Sequence, residues 1–124
     1  MELCIGINIY NTATFNARSL GPSIIGFLQT VRDGHPGVPV AVCTPIVSPS
    51  RETAPNAAGL TLQDIRSIIR SSVRALDDSA ITLLEGLDLL GQDEADYLAD
   101  GLHPTDAGYR LMAERIAPRL RALR

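Results

Sequence analysis

"VPVAVCT", residues 38–44, is a short apolar run rich in valine, and it decides the predicted fold of this chain. Residues 3–8 and 80–84 form two further runs of the same character, and none of the three alternates clearly between apolar and polar residues. Strands of this kind are buried on both faces, as in a parallel sheet covered by helices. The runs therefore predict three strands of a mostly parallel sheet.

Helical patterns alternate with these strands. Apolar residues recur at helical spacing over residues 17–32, again over residues 62–76 behind a capping box of Thr61 and Asp64, and a third time from about Thr105 onward. Pro118 is expected to kink or interrupt the last helix. Strand and helix in alternation predict an α/β fold with three layers, α/β/α, and a chain of 124 residues has room for one such domain, residues 1–124.

Composition narrows the classes of function. The chain is 45% hydrophobic and 20% charged with a net charge of −3, which is typical of an ordinary globular protein and suggests no nucleic-acid partner. No segment reaches the roughly 18 apolar residues that a membrane span needs, so the cytoplasm is the default compartment. Cys4 and Cys43 are too few for a metal cluster, and because both lie in apolar runs we expect buried, reduced thiols.

Arginines form one regular stripe. Arg66, Arg70 and Arg74 follow one another at four-residue spacing and would share one face of the second helix. The pattern favours a solvated outer face, and an anion-binding surface is the alternative.

Two long connections, residues 45–59 and 85–105, each follow a predicted strand. In a parallel sheet with right-handed crossovers, the segments that follow strands emerge at one edge, where ligands bind. Polar residues near the strand ends are therefore expected to converge on that rim: Asn8, Ser48, Arg51, Glu52, Asp100 and His103.

Asp100 and His103 are the pair with the clearest chemistry. An imidazole acts as a general base when one nitrogen faces the substrate and the other donates to a carboxylate that fixes its tautomer. An aspartate three residues earlier can reach that second nitrogen across a tight turn. From the pair alone, two alternatives stay open: Asp100 or Thr105 caps the last helix with His103 on the surface, or His103 belongs to a metal site.

"DGLHPTDAGY", residues 100–109, and "GIN", residues 6–8, together resemble two motifs of the SGNH hydrolase family, also called GDSL esterases. The resemblance implies a flavodoxin-like fold and hydrolysis of a carboxylic ester through an acyl-serine, with neither metal nor organic cofactor. It implies that His103 is the base and then the acid, that Asp100 orients it, and that Asn8, in one motif with Gly6, binds the oxyanion. Ser48, Arg51 and Glu52 are candidate substrate-binding residues on the rim, and the alternative for Arg51 and Glu52 is a solvated or loop-tying ion pair with each other.

The sequence departs from the family pattern in two places. Ile9 stands where the asparagine motif has an aspartate, and only seven residues precede Asn8, which leaves no room for the family's Gly-Asp-Ser nucleophile or its strand. Ser48 and Ser50 do not follow a strand through the sharp turn that presents a nucleophile. The chain is thus expected to hold the later part of such a domain, and a non-catalytic remnant or binding module on the same fold is the alternative.

The strand next to the missing one would have a free edge. We expect this edge, from Leu3 to Asn8, to be apolar and unpaired, and therefore to promote self-association.

Overall fold

A computed structural model describes residues 1–123 of the chain. Its sheet has three strands in the order β1 (Glu2–Cys4), β2 (Val40–Cys43) and β3 (Ile81–Leu84), and both pairings are parallel. Leu3 lies beside Val42, and Val40 lies beside Ile81. The predicted parallel sheet is confirmed.

The first strand is shorter than expected. Helix α1 (Ile7–Thr12) begins where the strand was predicted to continue to Asn8, so the prediction for residues 5–8 was wrong. The chain turns at Gly6, whose φ of 129° is a conformation that residues with a side chain rarely adopt. A Cβ at this position would lie 2.3 Å from Cγ of Pro45. Gly6 is therefore required both by the turn and by the close approach of Pro45.

Three longer helices cover the sheet: α2 (Leu20–Gly34), α3 (Leu62–Leu76) and α4 (Asp106–Ala122). Helix α2 begins three residues later than predicted. Helix α4 continues through Pro118 without a break. Thr61 and Asp64 form the predicted capping box of α3, with Asp64 N–H donating to Thr61 Oγ1 at 3.0 Å and Thr61 N–H donating to Asp64 Oδ2 at 2.9 Å.

The two faces of β2 pack against different helices. Val40 and Val42 belong to a core built with α2 and α3, whereas Ala41 and Cys43 face α4. Each buried aliphatic side chain contributes about 1.5–3 kcal/mol through the hydrophobic effect. The core with α2 and α3 also includes Leu20, Ile24, Leu28, Ile65 and Ile69, and the core that faces α4 includes Leu84 and Leu89. The sheet is thus the middle of three layers, as the strand and helix pattern predicted.

The observed burial of side chains corrects two expectations from the sequence, one about the cysteines and one about the arginine stripe. Cys43 is buried, but Cys4 is exposed, because α4 packs on β2 and β3 and leaves the end of the edge strand open. Arg66 is only 2% exposed, so the arginine stripe is not a solvated face throughout. Arg70 is half-buried and donates to Glu85 at 2.7 Å, and only Arg74 is fully on the surface.

No helix among residues 1–123 is both long enough and apolar enough to cross a bilayer.

Candidate active site

The C-terminal ends of the strands lead to one rim of the sheet. β1 leads to the Gly6 turn and to Asn8 in the first turn of α1, and β2 leads to the long loop that begins at Thr44. The segment after β3 passes through short 3₁₀ helices, Gly86–Asp88 and Gln92–Tyr97, before it reaches Asp100 and His103.

Asp100 and His103 are in direct contact. Asp100 Oδ2 lies 2.7 Å from His103 Nδ1, and Asp100 Oδ1 accepts the backbone N–H groups of Leu102 at 3.0 Å and His103 at 2.7 Å. The turn between them uses Gly101 with φ of 75°. Because one carboxylate binds both the imidazole and the backbone of the turn, the ring is held with Nδ1 toward Asp100 and Nε2 left for another partner.

The backbone around this pair is pinned at both ends. Ala99 N–H donates to His103 O at 2.8 Å, and Thr105 N–H donates to Tyr97 O at 2.7 Å. Thr105 Oγ1 accepts Gly108 N–H at 3.2 Å and so caps α4. Capping is the role of Thr105, whereas Asp100 is bonded to His103. Within residues 1–123, no cluster of three or more His, Cys, Asp or Glu is placed to hold a metal ion, so the metal-site alternative lacks a ligand set there.

Electrostatics keep Asp100 ionised. The hydrogen bond from the His103 ring, followed by those from the backbone N–H groups of His103 and Leu102, lowers the pKa of Asp100 to about 2. A carboxyl with this pKa is charged throughout the neutral range and can stabilise a positive imidazole. Both side chains remain accessible, His103 at 67% and Asp100 at 55% exposure, so the ring can be reached from solvent.

His103 lies at the wall of a cavity of about 290 Å³, and Asn8 lines the same cavity. The lining is mostly apolar and comes from β1, α1, β2, the loop after β2, the turn that carries His103 and α4; it includes Cys4, Ile7, Cys43, Ile46, Val47, Leu102, Tyr109 and Met112. Asn8 is exposed, and in the described part of the chain its carboxamide has no hydrogen-bond partner. Ile9, which stands where the motif that this segment resembles has an aspartate, packs against the core beneath.

Ser48 lies in this cavity wall, but its hydroxyl is already engaged. It donates to Gly101 O at 2.8 Å, and Arg51 Nη1 donates to it at 3.1 Å. Arg51 also donates to Asn11 at 3.1 Å and lies over the Tyr10 ring, with Cζ 5.9 Å from the centroid. The serine therefore ties the loop after β2 to the turn that carries Asp100.

Glu52 is buried and forms its ion pair with Arg66, not with the neighbouring Arg51. Burial raises the pKa of the Glu52 carboxyl, but hydrogen bonds from Arg66 and from Ser48 N–H outweigh it and hold the pKa below its ordinary value. Neither Arg51 nor Glu52 lines the cavity, although Ser48 does.

Arg66 is the residue of this region that sequence analysis missed. Its guanidinium donates to Pro45 O at 2.8 Å, to Ile46 O at 2.7 Å and to both oxygens of Glu52 at 2.6 and 2.8 Å. The four-residue spacing showed that Arg66 shares a face with Arg70 and Arg74. It gave no sign that the loop after β2 folds over the first turns of that face.

Comparison with known proteins identifies the family. The sequence profile of the GDSL-like lipase/acylhydrolase family matches residues 3–111. No curated protein sequence matches at a significant level.

Solved structures share the fold. A salicylyl-acyltransferase from a tetracycline biosynthetic pathway superimposes with a TM-score of 0.82 at 21% identity. A carbohydrate esterase of family 3 from Talaromyces cellulolyticus gives 0.74 at 24%, and a peptidoglycan O-acetylesterase gives 0.76 at 17%.

The matches cover nearly all of this chain but only part of each solved structure. Each match covers 98% of this chain but 37%, 56% and 37% of the respective partner, so the chain spans between a third and somewhat more than half of their length. The α/β fold expected from the resemblance is confirmed by these likenesses. Since the family profile also covers most of the sequence, the chain belongs to the GDSL-like lipase/acylhydrolase family.

Proposed function

We propose that this chain carries the acid-base and oxyanion part of a carboxylic ester hydrolase that works through an acyl-serine. The observation that carries the proposal is the 2.7 Å contact of Asp100 with His103 at the wall of a cavity that Asn8 also lines. The serine nucleophile is supplied by a Gly-Asp-Ser segment outside residues 1–124.

His103 is the base in this mechanism. Nε2 takes the proton of the serine hydroxyl while the oxygen attacks the ester carbonyl, and Asp100 stabilises the imidazolium that results. When the tetrahedral intermediate collapses, the same proton passes to the departing alcohol oxygen. Water then attacks the acyl-serine by the same route, giving the carboxylic acid and free serine.

Asn8 is the oxyanion donor. Its carboxamide N–H is proposed to bind the negative oxygen of the tetrahedral intermediate, and the exposed side chain has no other partner in residues 1–123 to compete for it. A donor of this kind is worth about 10²–10³ in rate, or roughly 3–4 kcal/mol, because it is aimed at charge that develops only in the transition state. Gly6 supports this role through the backbone turn that starts α1.

The apolar wall favours an uncharged acyl group. Leu102, Tyr109 and Met112 line the cavity together with His103, and none of the arginines within residues 1–123 is among the lining residues. The relatives named above include an O-acetylesterase and an acyltransferase, and both descriptions fit transfer of a neutral acyl group. A neutral carboxylic ester is therefore the proposed substrate class.

A second candidate is a non-catalytic binding module on the same fold. It is favoured by one observation: in the described residues His103 has no serine hydroxyl as a hydrogen-bond partner, and Ser48 is committed to Gly101. The chain by itself is accordingly expected to hydrolyse a short-chain activated ester no faster than its His103→Ala variant. In a serine protease that uses the same type of Ser-His-Asp triad on a different fold, loss of the nucleophile alone lowers turnover about 2 × 10⁶-fold.

The test uses the chain extended upstream by a Gly-Asp-Ser segment of the family. We expect His103→Ala to abolish ester hydrolysis, Asp100→Asn to be severe because the amide can favour the wrong tautomer, and Asn8→Ala to lower kcat about 10²–10³-fold. His35→Ala is the matched control, because His35 is the other histidine and lies exposed at the end of α2.

Two results would contradict the proposal. Activity of His103→Ala close to that of the unaltered extended chain would remove the base. Labelling of a serine in the 124-residue chain by a fluorophosphonate, seen as a mass increase, would show that a nucleophile had been overlooked.

A further inference from the structure

Cys4 and Cys43 are neighbours across two strands. They are register partners in the parallel pairing of β1 with β2, and side chains of such partners project from the same face of a sheet. Cys43 is on the face that packs against α4, and both cysteines line the cavity that His103 lines. The ester chemistry proposed above uses neither thiol.

The two thiols differ in accessibility. Cys4 is exposed, whereas Cys43 is 2% exposed and its thiol donates to Thr44 O at 3.4 Å. The Cys4 thiol reaches a Glu2 carboxylate oxygen at 3.4 Å. An attacking reagent can therefore reach the exposed Cys4 more readily than the buried Cys43.

The proximity of the two thiols adds to this asymmetry. The neighbouring Cys43 thiol lowers the pKa of Cys4, against the opposing effects of burial and of Glu2. The neighbouring Cys4 thiol and burial raise the pKa of Cys43. A thiolate is the nucleophile in disulfide exchange, so Cys4 is the better attacking group of the two.

Backbone geometry permits a bond between them. Adjacent strands lie about 4.7–4.9 Å apart, which falls in the usual range of about 4.4–6.8 Å between the Cα atoms of disulfide-bonded cysteines. Cys4 is the last residue of a three-residue edge strand, with no strand on its outer side in residues 1–123. The bond would therefore join two residues that are already register partners.

We propose that Cys4 and Cys43 form a dithiol redox site that closes to a disulfide by exchange with a low-molecular-weight disulfide such as oxidised glutathione. The Cys4 thiolate attacks one glutathione sulfur, the glutathione disulfide bond breaks, and one glutathione thiolate leaves and takes up a proton. The Cys43 thiol then loses its proton and attacks Cys4 Sγ, which expels the second glutathione. The two cysteines are oxidised and one glutathione disulfide is reduced to two thiols.

This redox site does not depend on the ester chemistry. The bond would link β1 to β2 beneath the cavity, so it would also remove the two thiols from the cavity wall. Ester hydrolysis is therefore not the readout of the test.

Peptide mapping tests the site directly on the 124-residue chain. Trypsin cleaves after Arg18, Arg32 and Arg51, so the two cysteines fall in separate peptides, residues 1–18 and 33–51. After incubation of the folded chain with excess oxidised glutathione, we expect these two peptides to be joined by a disulfide within one chain, with no disulfide between chains and no bound glutathione. Reduced glutathione in excess should reverse the link.

Two variants separate the steps. Cys43→Ala should stop at a stable glutathione adduct on Cys4, and Cys4→Ala should give no adduct on the buried Cys43 while the chain stays folded. In the reduced unaltered chain, Cys4 should react with an alkylating reagent at least about ten-fold faster than Cys43.

Three outcomes would overturn the proposal. They are a lasting glutathione adduct on Cys4 of the unaltered chain, a disulfide between two chains in place of the internal one, and no reaction under conditions in which free cysteine is oxidised. The mapping on the unaltered chain decides between these outcomes even if Cys43→Ala does not fold.

Discussion

Removal of the Arg66 guanidinium tests the buried network that shapes the rim. Arg66→Met keeps much of the side-chain volume but deletes four hydrogen bonds, two to the backbone carbonyls of Pro45 and Ile46 and two to Glu52. Side-chain exposures of 3% for Arg66 and 7% for Glu52 place the pair away from solvent. The variant therefore leaves a buried carboxylate without its partner.

The expected loss follows from that burial. Breaking a buried ion pair by removing one partner costs about 3–5 kcal/mol, and a domain of this size has about 5–15 kcal/mol of total stability. We expect Arg66→Met to lower the free energy of unfolding by about 4 kcal/mol and Tm by about 10–20 °C. Urea denaturation followed by circular dichroism measures the first quantity.

Arg74→Met is the matched control. Arg74 lies two turns further along the same face of α3 but is exposed, so its replacement should change stability by less than about 0.5 kcal/mol. A double-mutant cycle of Arg66→Met with Glu52→Gln should give a coupling energy of about 2 kcal/mol. A loss below about 1 kcal/mol for Arg66→Met, or an equal loss for Arg74→Met, would refute the reasoning.

Lowering the pH should reduce the loss of stability that Arg66→Met causes. The pKa of Glu52 in the folded chain is below its value in the unfolded chain, so its ionised form stabilises the fold above the unfolded pKa of about 4.3 and this contribution is lost as pH falls through the folded pKa. In Arg66→Met the unpaired carboxyl is instead stabilised by protonation. The difference in stability between the two proteins should therefore shrink between pH 7 and pH 4.

Three more predictions concern the turn, the dyad and the sheet edge. Gly6→Ala should destabilise the chain by about 2 kcal/mol or more in urea denaturation, because the turn and Pro45 leave no room for a Cβ. Gly26→Ala in α2, where a Cβ would have no atom within 4 Å, should instead stabilise the chain by about 0.5–1 kcal/mol. The reverse order of stability would contradict both assignments. The carboxyl carbon of Asp100 should titrate by NMR with a pKa of about 2, and His103→Ala should raise that pKa; an unchanged value would mean that the ring does not bind the carboxylate in solution. Sedimentation in reductant should detect self-association at micromolar concentration through the free edge of Glu2–Cys4, and a stable monomer would show that this short edge is protected.

The sequence predicted the layers well because they depend on local pattern. The valine-rich run at residues 40–43 is buried on both sides, and the helical spacing of Ile65, Ile69 and Val73 places all three in the core. The pairing of Asp100 with His103 was also predictable, because three residues and a glycine turn bring the groups together whatever the rest of the chain does.

The misses arise where an apolar residue fits more than one structure. Residues 5–8 read as strand because Ile5 and Ile7 are apolar, yet Ile9 and Tyr10 use the same apolar character to pack a helix on the core. A short apolar run has no period long enough to separate the two possibilities. Gly6 was the available signal for a turn.

Burial of single residues was the least predictable property. Spacing places Arg66 on a face of α3, but whether a loop covers that face depends on carbonyl groups of Pro45 and Ile46, which are distant in sequence. Exposure of Cys4 likewise depends on which strands α4 covers, and the pattern of β1 alone contains no such information.

The rate of acyl-enzyme formation tests the central claim most directly, because it isolates the step in which His103 is proposed to take a proton. In the extended chain with its Gly-Asp-Ser segment, a stopped-flow burst with an activated ester should be present in the unaltered protein and in His35→Ala. It should be slower by about 10⁴-fold or more in His103→Ala. A burst in His103→Ala within ten-fold of the unaltered rate would contradict the assignment of this histidine as the base.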